Sequence, residues 1–372
     1  MAVPKLDVRR LLRRLLVLCG LGAVAFVWPV LDLYGRNPEV FVANRTSGAQ
    51  IVLFGLLVTL VFPLLALAVL AVTELIHPRA AGGAYLVLIT LTGIGTGLVV
   101  SRQVVPDSDV PALVVAAVVA ALVVLVHRSF QSGLRWFGLA LPLLLVLFLG
   151  FSATSNLIWV QVSAAEVEAG SVGNPKSIVF LQLDEFPLAS IVTEDGTVNE
   201  ALFPNLARLA ATGTWYRNAL SASIATTQSV PAALTGVRGG SDLAPTAADH
   251  PNTLFTLLGD AYEMHVIEWV LALCPGDVCP DYAGQAPARF VSLLSDVGVV
   301  YGHLSLPKST RDHLPSIDNS WQGFLRQEDQ TAPAPVAVAD FPVPAAGRRG
   351  AWIDRLQRII NGIAADAPPT LS

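Results

Sequence analysis

Five stretches of this chain are too apolar to be left in water. They run from Leu15 to Tyr34, Ile51 to Thr73, Ala80 to Ser101, Val110 to Val126 and Trp136 to Ile158. Each approaches the roughly 20 residues an α-helix needs to cross a bilayer core. Hydrocarbon offers the backbone no hydrogen-bond partners, so a crossing segment must satisfy its own, as a helix does. The first stretch, "LLVLCGLGAVAFVWPVLDLYG", is longer than the roughly 7–15-residue core of a signal peptide, and four more follow it.

Charge divides the chain in two. Residues 1–160 hold 11 Lys+Arg and 6 Asp+Glu, whereas residues 161–372 hold 12 and 22. The second part is therefore acidic, which excludes a nucleic-acid partner read through a basic face. Within the first part, Lys and Arg in the short flanks orient the spans. The N-terminus and the second and fourth loops carry eight of them, and the other two loops carry only Arg36, Arg45 and Arg102. This places the N-terminus in the cytoplasm of a multi-pass plasma-membrane protein and everything after about residue 160 outside it. Asp32, Glu74 and His77 lie near span ends, where anchoring or snorkelling accounts for them. No broken-helix pair or polar stripe suggests a transporter.

The expected organisation is a five-helix membrane domain over 1–160, a linker over 161–175 and an extracytoplasmic domain over 176–372. In "SIVFLQLDEFP" the run Ile178–Leu183 has the length and apolarity of a strand covered on both faces. It ends in Asp184 and Glu185, where open α/β sheets bind ligands; a pair of solvated loop acids is the alternative. Leu206, Leu209 and Ala210 have helical spacing, Gly213 supplies a stop, and Trp215–Leu220 reads as a second strand. "PNTLFTLLGDAYEMHVIEWV" then adds a helix and a strand around His265–Trp269, giving β–α–β alternation. Cys274 and Cys279 have no second Cys pair to complete a zinc site, and on an oxidising side they read as a disulfide. A pair of reduced thiols is the alternative. "WIDRLQRIINGI" has helical apolar spacing at Ile353, Leu356, Ile359 and Ile360.

Between these elements stands "ATTQSVPAALTG", Ala225 to Gly236. Threonines ahead of a short apolar segment make helix N-caps, since their hydroxyls accept from free N–H groups. They also make nucleophiles held at the positive end of a helix, where a tetrahedral anion binds.

In order, "VFLQLDEF", "FPNLARLAATGTWYRNA" and "TTQSVPAALTG" resemble the N-terminal part of the sulfatase/alkaline-phosphatase superfamily, over about residues 176–280. The layout is similar to membrane-anchored members such as lipoteichoic acid synthases and lipid A phosphoethanolamine transferases. The resemblance implies an alkaline-phosphatase-like α/β domain, a mostly parallel sheet with helices on both faces, here incomplete. It makes Asp184 the first metal-binding acid and Glu185 a second ligand. It makes Thr226 the nucleophile and a further metal ligand, from its spacing to Ser229, Val230 and Pro231, with Thr227 as the alternative. The implied cofactor is a divalent ion, zinc or manganese, with calcium and magnesium as the other candidates. The implied partner is a phosphorylated or sulfated envelope lipid or glycan. Sulfatases proper carry an oxidised cysteine or serine followed by Pro and Arg, and threonine cannot yield that aldehyde. Phosphoryl chemistry is therefore favoured over sulfate-ester hydrolysis.

The chain departs from the family in lacking the Asp-His-Gly that completes the metal site. Asp249–His250 and Asp312–His313 have the pair without the glycine, and too early in the order. A chain truncated within the catalytic domain accounts for this, as does a catalytically inactive protein whose outer domain only binds.

Overall fold

The structure, a computed structural model, describes residues 7–105, 108–127, 129–139, 141–160, 170–183, 186–238, 243–268, 270–279, 286–317, 323–325 and 370–371. It is mostly helical. The first span comprises α1 (Val8–Gly22), a π-helical turn (Ala23–Val27) and α2 (Trp28–Arg36). After α3 (Glu39–Ala43) come α4 (Gly48–Ile76), α5 (Pro78–Val104) and α6 (Asp109–Val126). The fifth span is α7 (Gln131–Leu139) and α8 (Leu141–Phe151), followed by the short α9 (Asn156–Trp159). Among the described residues five helical segments are thus long and apolar enough to cross a membrane. Beyond them lie α10 (Pro204–Thr212), α11 (Thr226–Thr235), α12 (Leu254–Leu258), α13 (Ala286–Ser305) and α14 (Lys308–Arg311).

Contacts divide the chain into two units. The first is Met1–Gln161 with Trp269–Leu271 and Asp281–Pro342, and the second is Val162–Glu268 with Ala272–Pro280 and Val343–Ser372. In the helical unit, small residues bring α5 and α6 together. A Cβ at Gly93 would lie 3.3 Å from the Ala120 Cα, and one at Gly97 would overlap the Ala116 carbonyl. Glycine at these positions lets backbones approach closely, which is how helices associate in lipid. Tyr34, Phe41, Phe54 and Phe148 form an aromatic cluster, with Tyr34 and Phe54 ring centroids 4.8 Å apart. The three ionisable residues near span ends have structural partners. Asp32 pairs with Arg36 at 2.6 Å, Glu74 with Arg10 and Arg14 at 3.4 Å each, and His77 Nδ1 accepts the Arg79 N–H that opens α5.

Helix α13 belongs to this unit although its sequence lies far beyond the fifth span. Phe290, Leu293, Val299 and Val300 are buried in the same core as the aromatic cluster. Its seat follows from a proline. Pro29 has no N–H, so the Ala25 carbonyl loses the donor that an α-helix would supply four residues on. The π-helical turn sits at that place, with Trp28 N–H bonding back to Ala23 O. The Tyr301 hydroxyl of α13 donates to Ala25 O at 2.8 Å and fills the vacancy.

The second unit shows little sheet among its described residues. Two-residue strands β1 (Glu263–Met264) and β2 (Thr370–Leu371) pair in parallel, and isolated bridges join Val192 to Val198 and Thr246 to Ala272. In the run expected as a covered strand, only Ile178 makes a bridge, and Val179 and Leu181 are 66% and 61% exposed. Trp215–Leu220 is irregular around a single turn rather than a strand, and His265–Glu268 is irregular just beyond β1. The helices fare differently. α10 ends at Gly213 as its spacing predicts, and α12 begins at a Thr253–Thr256 capping box. Cys274 and Cys279 are joined by a disulfide. The segment 351–363 lies outside the described residues.

Removing the Tyr301 hydroxyl deletes its bond to the buried Ala25 carbonyl, a loss of about 0.5–1.5 kcal/mol. Tyr301→Phe is therefore expected to lower the thermal midpoint of the purified protein. Pro29→Ala restores the missing N–H, and in that background Tyr301→Phe should be close to neutral. A double-mutant cycle of thermal unfolding in detergent checks the coupling, and additive effects of the two substitutions would contradict it.

Candidate active site

The threonine stretch folds as a helix for local reasons. α11 stops at Gly236, whose φ of 72° is the left-handed conformation that glycine adopts without cost. Its N-cap is Ala225, which supplies no side-chain cap. Thr226 and Thr227 occupy the first two helical positions, one and two residues past the place a capping hydroxyl takes. Both are half-buried. The capping role considered for this stretch is thus not theirs.

Ser223 holds the chain as it enters the helix. Its Oγ accepts the Ala225 N–H at 3.2 Å and donates to Gln228 Oε1 at 2.8 Å. Pro231 lies inside α11. Having no N–H, it removes the helical bond that the Thr227 carbonyl would accept. The first turn therefore carries two hydroxyls, the positive end of the helix dipole and an irregular backbone.

A cleft of about 500 Å³ opens beside this helix. It is lined by 180–183, by 219–222 and by Ser229, Ala232 and Ala233. The apolar run that leads to Asp184 and the segment that leads to Thr226 thus border one space, against one face of α11. Asp184 and Glu185 themselves lie outside the described residues, so their separation from Thr226 is not described. Among the described residues no three His, Cys, Asp or Glu side chains cluster as metal ligands. Of the proposed metal ligands, only Thr226 is described.

The two Asp–His pairs serve local structure. Asp249 Oδ2 accepts the Ala244 N–H at 3.0 Å, and His250 is buried in the second unit. His313 is in the helical unit, where Nδ1 lies 2.7 Å from Ser309 O. Just ahead of the disulfide loop, the Glu268 carboxylate accepts the N–H groups of Leu273 and Cys274 at 2.9 and 3.3 Å. Sequence reasoning missed Ser223, for which a serine three residues ahead of the threonine was the available signal. It also missed α13, whose Phe290, Leu293, Val297, Val300 and Leu304 recur at helical spacing.

No protein-family model, curated protein or solved structure matches this chain.

Desolvation lowers the His250 pKa below its ordinary 6.5, with Asp249 opposing in part. The folded chain thus binds this proton less readily than the unfolded chain. Stability is flat above the ordinary value and falls as pH drops below it toward the folded pKa. Denaturant unfolding of the full chain between about pH 7.5 and 5, a range bracketing the ordinary histidine value, is expected to show this decline. His250→Gln should reduce the slope, and an unchanged slope would contradict the assignment.

Proposed function

We propose that this chain is a membrane-anchored hydrolase or group transferase acting on phosphate or sulfate esters of envelope lipids or glycans, with Thr226 as its nucleophile. The observation that carries the reading is the juxtaposition around α11. α11, whose leading threonines do not cap it, lines with Ser229, Ala232 and Ala233 a cleft that is bordered by the run ending in two carboxylates. Phosphoryl esters are favoured over sulfate esters because threonine is no precursor of a formylglycine.

The reaction follows from these residues. The Thr226 oxygen bonds to phosphorus as the ester oxygen departs, the hydroxyl proton leaves to a base, and the alkoxide takes up a proton. Water or an acceptor hydroxyl then displaces the threonine, giving hydrolysis or transfer. Negative charge gathered on the phosphoryl oxygens faces the N-terminal end of α11, whose partial positive charge favours it. Asp184 and Glu185 would hold a divalent ion, zinc or manganese before calcium or magnesium, which supplies Lewis acidity when bound. The flank charges and the Cys274–Cys279 disulfide support an extracytoplasmic second unit.

A second reading is a catalytically inactive membrane protein whose second unit binds an envelope component. The lack of any Asp-His-Gly in the sequence favours it.

One experiment separates the two. The full chain in detergent, supplied with manganese or zinc and a phosphodiester lipid, is expected to acquire a phosphoryl adduct within the peptide containing Thr226. Thr226→Ala should abolish the adduct and cut turnover on the order of 10⁴-fold or more, with bound metal largely retained. Unchanged turnover in Thr226→Ala would remove this residue from the mechanism. Neither adduct nor turnover in the parent protein would favour the binding reading.

A further inference from the structure

The helical unit is electrically lopsided, and its charged end carries more cations than its structure uses. α1 opens with Arg9 and Arg10 in its first turn and Arg13 and Arg14 in its second. Cations at a helix N-terminus oppose the dipole, so they do not serve the helix itself. Two of the four are used in packing. Arg10 and Arg14 grip the buried Glu74 carboxylate at 3.4 Å each, Arg10 also reaches Asp7 at 3.5 Å, and Arg14 lies over the Tyr85 ring.

Arg9 and Arg13 remain, and Arg79 in the first turn of α5 adds a third cation. All three are exposed, and none has a carboxylate partner among the described residues. Arg9 and Arg13 stand four residues apart, so they share one face of α1. Beside these guanidinium groups the surface turns apolar at once, with Leu12 and Leu75 each 50% exposed and Ile76 71% exposed. The other end of the bundle is balanced, with Arg36, Arg45 and Arg102 set against Asp32, Glu39 and Asp109.

We infer that the Arg9, Arg13 and Arg79 end is a docking surface for anionic phospholipid headgroups of the adjoining leaflet. A soluble anion would satisfy the guanidinium groups and leave the apolar rim in water, whereas a phospholipid meets both at once. Each arginine near a negative membrane surface contributes about five-fold in affinity, and the attraction weakens as salt is raised.

The test is lipid retention by the full-length protein purified from nanodiscs of phosphatidylglycerol and phosphatidylcholine, read by native mass spectrometry. Wild type is expected to keep phosphatidylglycerol preferentially, losing about five-fold of the preference for each of the three arginines changed to glutamine. Arg9→Lys/Arg13→Lys should retain it. Equal retention of the two lipids by wild type, or an unchanged preference in the triple glutamine variant, would overturn the inference. Should that variant not fold, the wild-type preference measured against salt decides, because a salt-independent preference would also overturn it.

Discussion

A proline within an apolar helix leaves a carbonyl that lipid cannot satisfy, and the helical unit is arranged around one such debt. Pro29 withholds the N–H that Ala25 needs, the backbone takes a π-helical turn there, and Tyr301 completes the bond from a helix more than 270 residues away in sequence. In water the same carbonyl would find a solvent partner. In hydrocarbon no solvent can replace the donor, which favours a polar group brought from another segment. Tyr301 thus ties α13 to the first span at this point. Phe290, Leu293 and Val300 then add apolar burial to a position that the hydrogen bond specifies.

The membrane helices were legible because their signal is local and redundant. Length, apolarity and flanking charge all point one way over each stretch, and the packing adds what composition cannot. Gly93 and Gly97 look like ordinary residues of an apolar run until Ala116 and Ala120 are placed against them. α10, α11 and α12 were equally visible, since spacing, capping and a terminal glycine act within a few residues. α13 has a helical periodicity that the sequence reading passed over, and its partners in the first span leave no mark in its sequence.

The strands were harder for the opposite reason. An apolar run such as Ile178–Leu183 acquires its meaning from strands distant in sequence, and burial on both faces is a property of the partners. Among the described residues those partners do not cover Val179 and Leu181. At the candidate site, sequence correctly marked the threonines as belonging to a helix start, yet it left capping and chemistry open. Position answers the capping half alone, because Ala225 holds the capping place and Ser223 the entry bonds. Nothing in the residue types distinguishes the first helical position from the one before it.

The proposed chemistry requires the side chains at 184 and 226 to come within reach of one shared cation. Short-range cross-linking tests this most directly. Asp184→Cys combined with Thr226→Cys, treated with a short bifunctional maleimide and digested, should give a cross-linked pair of peptides. If each thiol is instead capped singly and no linked pair forms, the two positions are apart and the proposed chemistry has no place to occur.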